Sequence, residues 1–170
     1  KSLKYYDMSM KQNYLPAKAD YALFLLDGKG KDVPQNINEG MKLLKKVAQD
    51  GWPMANANLG KIYAKGLYGQ EKNAKEAISY HCIGEKNGCS FSMVELGKAY
   101  YNGRFGDEAF DKDDLRAARL FERAAELNDP EGLYSWAIFE LKGFGGTHVN
   151  INDALADLKI SASLGFAPAM

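Results

Sequence analysis

The chain is poor in the residues that usually do chemistry: it holds two cysteines, two histidines and no excess of either charge. Two cysteines in 170 residues cannot form the disulfide framework that stabilises small secreted domains. The 22 lysines and arginines are balanced by 22 aspartates and glutamates. That balance argues against a dedicated nucleic-acid binder, whose basic excess neutralises phosphates. No apolar run approaches the roughly 20 residues that a membrane span needs, so no membrane insertion is expected. The start shows no secretory leader. It also opens on Lys1-Ser2 without a methionine, as a chain would whose leader or upstream domain had been removed, so the missing leader is silent about compartment. What remains is 46% hydrophobic and 26% charged, the balance of an ordinary folded domain rather than a disordered one.

What is present is a repeat. The segments 36–51, 73–88, 113–128 and 150–165 read NINEGMKLLKKVAQDG, NAKEAISYHCIGEKNG, DDLRAARLFERAAELN and NINDALADLKISASLG, with starts 37, 40 and 37 residues apart. Each opens on Asn or Asp, which can accept from the free amides of a first helical turn. Gly40, Ala77, Ala117 and Ala154 share one small-residue position. Met41, Ile78, Ala118 and Leu155 follow, with Leu44, His81, Phe121 and Leu158 three residues later. That spacing predicts one buried helical stripe. Each segment closes on Gly or Asn, which tolerate a left-handed cap. We name these the B helices.

A second kind, the A helices, alternates with them at 15–28, 53–66, 90–103 and 130–143, and each ends in Gly. Three carry proline at or near the first turn, where its missing amide costs nothing. Tyr21, Leu59, Leu96 and Trp136 align as a bulky buried position, each followed by Ala22, Gly60, Gly97 or Ala137. A large residue beside a small one lets paired helices interlock closely. Residues 1–13 (with Leu3, Tyr5, Tyr6 and Met10) align with a B helix, and 166–170 read as the opening of a further A helix. The expected fold is therefore all-α: an α/α solenoid of four stacked antiparallel helix pairs with a half-repeat at each end, almost wholly helical and without a sheet. The repeats run over about 14–51, 52–88, 89–128 and 129–165 of a single domain spanning 1–170.

The stretch from Ala55 through Ala57, Leu59, Gly60 and Tyr63 to Gly66 resembles the A-helix signature of the Sel-one-like repeat (SLR) family, a relative of tetratricopeptide repeats. The Val33-Pro34-Gln35-Asn36 loop and the Ala124-Ala125-Glu126-Leu127-Asn128 ending are similar to its loop and B-helix terminus. Leu25 and Glu140 depart from it, standing where the family tends to have the tyrosine that Tyr63 and Tyr100 represent; Gly84 replaces its alanine. The resemblance implies a right-handed superhelix that serves as an interaction scaffold, commonly bacterial and often exported, which favours periplasm or cell envelope over cytoplasm. Fold alone does not name the partner.

Catalytic patterns are missing. His81 aligns with Leu44, Phe121 and Leu158 and reads as a core histidine; His148 lies in a Gly-rich loop. His81, Cys82, Cys89 and His148 do not have the spacing of a zinc site. The family has members with a cysteine pair bridging the two helix types, but Cys82 and Cys89 are out of that register. Gly60-Lys61, Gly97-Lys98 and Gly28-Lys29 lack the remainder of a phosphate loop, and no HExxH, GxSxG or serine–lysine pattern occurs. The expectation is a non-enzyme without cofactor or metal.

In such a solenoid the A helices line a concave side. Helical geometry then places Met54, Asn58, Lys61 and Lys65 of the second pair toward the groove. Phe91, Glu95, Lys98, Tyr101 and Asn102 follow from the third, and Glu131, Tyr134, Ile138 and Lys142 from the fourth. The first pair offers Asp20, Leu23 and Asp27. Phe91, Tyr101 and Tyr134 either anchor a partner or widen the contact between repeats. The loop from Gly103 to Asp113 is three residues longer than those from Gly66 to Asn73 and from Gly143 to Asn150. Its Phe105 and Phe110 either form a second binding face or tuck against the solenoid. The expected partner is another protein or an extended peptide, with neutralisation of a co-encoded secreted bacterial toxin as the narrower version. An envelope-associated hydrolase and a glycan-binding module are the alternatives.

Overall fold

The computed structural model describes residues 14–28, 34–166 and 168. Among them are eight α-helices, each of 13 residues. They are α1 (Leu15–Asp27), α2 (Ile37–Gln49), α3 (Pro53–Lys65), α4 (Ala74–Lys86), α5 (Ser90–Asn102), α6 (Asp114–Glu126), α7 (Pro130–Lys142) and α8 (Ile151–Ser163). The two kinds alternate as expected: α1, α3, α5 and α7 are the A helices, and α2, α4, α6 and α8 the B helices. Their ends obey the expected chemistry. Asn36, Asn73, Asp113 and Asn150 each accept from the backbone amide three residues on, at 2.9–3.3 Å. The A helices stop at Gly28, Gly66, Gly103 and Gly143, all left-handed with φ between 64° and 68°. A side chain at these four would be strained.

The chain divides into two compact units between Ile83 and Gly84, within α4. In the first, Leu26, Leu44, Val47, Leu59 and Ile62 form the core. His81 is buried with it, 1% exposed, as its register predicts. The absence of a side chain at Gly60 makes room for it: a Cβ there would lie 2.6 Å from His81 Nε2. In the second unit Met93, Val94, Leu96, Phe121, Leu133 and Phe139 are buried. Gly97 repeats the device, since a Cβ would sit 2.7 Å from Phe121 Cε1.

Three expectations need correction. Arg104–Phe105 and Glu108–Ala109 pair as a two-stranded antiparallel hairpin, so the chain is not free of sheet; the three extra loop residues give it the length to fold back. Tyr21 and Trp136 are only half-buried, unlike Leu59 and Leu96. Leu155 is 46% exposed rather than part of a buried stripe, because no described helix lies beyond α8 to cover it. Leu158 in the same helix is half-buried. The half-repeat 1–13, Val33 and most of the further A helix (167, 169 and 170) lie outside the described residues.

Candidate interaction surface

The A helices spend one face on the core and leave another outward. In the first unit, Lys61 and Lys65 of α3 are exposed one turn apart, Met54 is exposed and Asn58 half-buried. On α1, Asp20 and Asp27 are exposed and Leu23 half-buried. The Tyr68 hydroxyl donates to Asp27 Oδ1 at 2.5 Å. Burial and that bond push Tyr68 up to about 12, so it stays a neutral donor.

In the second unit the A-helix face is more heavily engaged in packing than the sequence reading had it. Lys98 is ion-paired with Glu95 one turn away and with Glu131 of α7 at 3.0 Å. Burial works against its ammonium, but the two carboxylates outweigh that and raise its pKa. Lys98 therefore brings little unbalanced positive charge to a basic strip. Tyr101 packs edge-on to Phe139 at 5.3 Å and against Phe144 at 5.7 Å, with Lys112 over its ring. Tyr134 lies 5.3 Å from Phe166. Both rings reach a neighbouring element, as in the reading in which they widen the contact between repeats. A ring that reaches a neighbouring helix gains more by burying there than by standing in water. Phe91 and Ile138 are half-buried, while Asn102 and Lys142 are exposed, Lys142 over the Phe144 ring at 5.4 Å.

The hairpin turns its phenylalanines inward. Phe105 is 7% exposed, and Phe110 packs edge-on to Tyr100 at 4.7 Å. Of the two readings of this loop, these contacts agree with the one in which the rings tuck against the solenoid, alternation along the strand pointing Phe105 into the unit. What the hairpin does expose is Arg104, Gly106, Asp107, Glu108 and Ala109.

No catalytic constellation or metal centre emerges among the described residues. His148 is exposed in its loop, and no group of three His, Cys, Asp or Glu could hold a metal ion. Cys89 is buried at the start of α5, Cys82 is half-buried, and both are thiols. No described helix is long and apolar enough to cross a membrane.

The sequence identifies the recurring tyrosine position near the end of the A helices but not the cation that sits over its ring. Lys45 Nζ sits 5.7 Å above the Tyr63 ring, which itself stacks on Tyr80 at 5.6 Å. At the next copy, Arg116 Nη1 donates to the Tyr100 hydroxyl at 2.9 Å and its guanidinium lies 5.3 Å over that ring. Glu140 fills the following copy. The signal was visible in alignment, since Glu140 departs from Tyr63 and Tyr100.

The Sel1 repeat matches residues 16–52, 53–88 and 90–129. A Sel1 repeat protein from Oxalobacter formigenes superposes over 98% of this chain and 63% of its own, with a TM-score of 0.74 and 26% identity. Cysteine rich protein B of Helicobacter pylori aligns with 74% of this chain and 91% of its own at a TM-score of 0.54 and 23% identity, which speaks for the fold alone. In sequence, an ERAD-associated E3 ubiquitin-protein ligase component of Arabidopsis thaliana is 30% identical over 108 residues, 64% of this chain. The chain spans only 16% of that relative's length. Proteins of this repeat class generally act as non-catalytic scaffolds that mediate protein–protein interaction. Three matched repeats, helices alternating in the same register and the likeness to solved repeat solenoids lead to one assignment: the chain belongs to the Sel1 repeat family.

Proposed function

We propose that this chain is a non-enzymatic scaffold that holds a protein or extended peptide along the outward faces of its A helices. The observation that carries the reading is the division of labour within those helices. One face is spent on the core, while the other keeps half-buried Phe91, Tyr134 and Ile138 beside exposed Asn102 and Lys142 in the second unit. Rigid aromatic and apolar groups among a few charges are the composition of interface anchors. In the first unit Lys61 and Lys65 supply exposed positive charge, which speeds encounter with an acidic partner.

Co-purification from the native host, followed by mass spectrometry, tests the scaffold role. The double variant Tyr134→Ala, Ile138→Ala should lose the partner that wild type retains, because truncating an anchor costs about 2 kcal/mol or more. Lys42→Ala and Lys159→Ala on B helices, both exposed, are the controls. Loss in the controls with retention in the double variant would move the interface off the A helices.

In its narrower form the partner is a secreted toxin encoded beside this chain, which the scaffold neutralises by covering it. That role calls for one tight partner, and rings already held by packing lose little freedom on binding. Co-expression with the neighbouring toxin should restore growth; continued killing would remove this version.

A further inference from the structure

Glu140 is 9% exposed, and its Oε2 has no hydrogen-bond partner in the structure. A buried polar atom left unpaired is costly and calls for an explanation. The repeat register supplies one. Counting from each B-helix cap, Lys45 and Glu122 share one position, Arg116 and Asp153 a second, and Tyr80 and Asp157 a third. At Tyr63 and Tyr100 the chain places its own cation, Lys45 or Arg116, over the aromatic ring. At the third copy the tyrosine becomes Glu140, and the positions of Lys45, Arg116 and Tyr80 become Glu122, Asp153 and Asp157. Those three carboxylates, with burial as the larger cause, raise the pKa of Glu140. The same site thus recurs with its charge inverted and its cation missing.

Beside it lies an open cavity of about 280 Å³ walled by Glu122, Ala125 and Glu126 of α6, Leu133 and Trp136 of α7, and Asp157 of α8. Trp136 precedes Glu140 by one helical turn, so both fall on one face. Glu122 and Asp157 flank cavity and Glu140 alike. The acids are not grouped for a shared ion: among the described residues no three could hold a metal. A long cation suits the shape better. An aliphatic stem can lie on Leu133 and Ala125, a planar guanidinium can stack on Trp136, and its several donors can reach carboxylates on both walls.

We propose that this cavity is a docking pocket for an arginine side chain of a peptide or protein partner, with Glu140 as its buried counter-charge. The proposal deepens the scaffold reading and rests on it for the kind of partner. It places a specific contact on α6, α7 and α8, through side chains other than those tested above.

The test uses the full chain and two blocked tripeptides, Ac-Leu-Arg-Leu-NH2 and the same peptide with citrulline, which keeps the shape and removes the charge. Nitrogen–proton NMR titration should show saturable shifts at the Trp136 indole and along α8 with the arginine peptide, and none with citrulline. Glu140→Gln, with a melting curve to confirm folding, should weaken the arginine peptide by roughly tenfold or more. Equal response to both peptides, unchanged affinity in Glu140→Gln, or stronger saturable shifts with calcium or magnesium ions alone would each overturn it. Because no natural partner is involved, success or failure here is independent of the A-helix variants.

Discussion

A methyl group is the difference between packing and clash at the points where A and B helices touch. Gly60 faces His81 and Gly97 faces Phe121 at distances that leave no room for a Cβ. Gly60→Leu and Gly97→Leu should each cost about 1–3 kcal/mol, lowering Tm by roughly 2–4 °C per kcal/mol for a chain of this size. Melting within a degree of wild type in both would contradict the packing. Glu140 makes the opposite case, a residue whose removal should help. Burial and neighbouring carboxylates raise its pKa, and burial with Asp153 raises that of Asp157. A carboxyl with a raised folded pKa binds its proton more readily folded than unfolded. Its penalty is therefore complete above the raised value and absent below the ordinary carboxylate range. Glu140→Gln should raise Tm by a few degrees near pH 7, about 1 kcal/mol or more, and change it little near pH 4. A stabilisation that persisted undiminished at about pH 4 would show that charge is not the cause.

Each helix is delimited by its own short-range chemistry, so its ends respond to single changes. The caps at Asn36 and Asp113 accept one otherwise free amide each. Asn36→Ala or Asp113→Ala should cost about 1 kcal/mol, measured by denaturant titration. The hairpin depends instead on the burial of Phe105. Phe105→Ala should cost about 3 kcal/mol, whereas Glu108→Ala at the exposed tip should be near neutral. Equal small effects would return the hairpin to the status of a free loop. Helix identity, order and caps were legible in sequence because they rest on periodicities of three to four residues and on side chains that cap their own turn. The hairpin was not, since its two-residue strands carry too few positions for alternation to show. Nor were the partners of Tyr101 and Tyr134, whose rings meet Phe139, Phe144 and Phe166 across helices that only folding brings together.

Over the whole chain, opposite charges cancel, and much of that cancellation is local. Lys98 is held by Glu95 and Glu131, and Arg123 by Glu85, while Lys61 and Lys65 stay exposed. Lys61→Glu with Lys65→Glu should slow association with an acidic partner, the effect shrinking as salt rises. Lys98→Glu should act differently, placing a third carboxylate beside Glu95 and Glu131 and lowering Tm. Stopped-flow rates at two salt concentrations, read beside melting curves, separate the two; equal rate effects without a change in Tm would reverse the assignment. The sequence alone determined the repeat, the alternation of A and B helices, their caps and the burial of His81, because each follows from spacing within a helical turn or from the period of 37 to 40 residues. Only the tertiary structure decided how the A-helix side chains are engaged. Whether Lys98 is neutralised by Glu131, Tyr101 packed against Phe139 and Phe144 or Glu140 crowded by carboxylates depends on side chains that other elements bring up, and no local pattern carries that information.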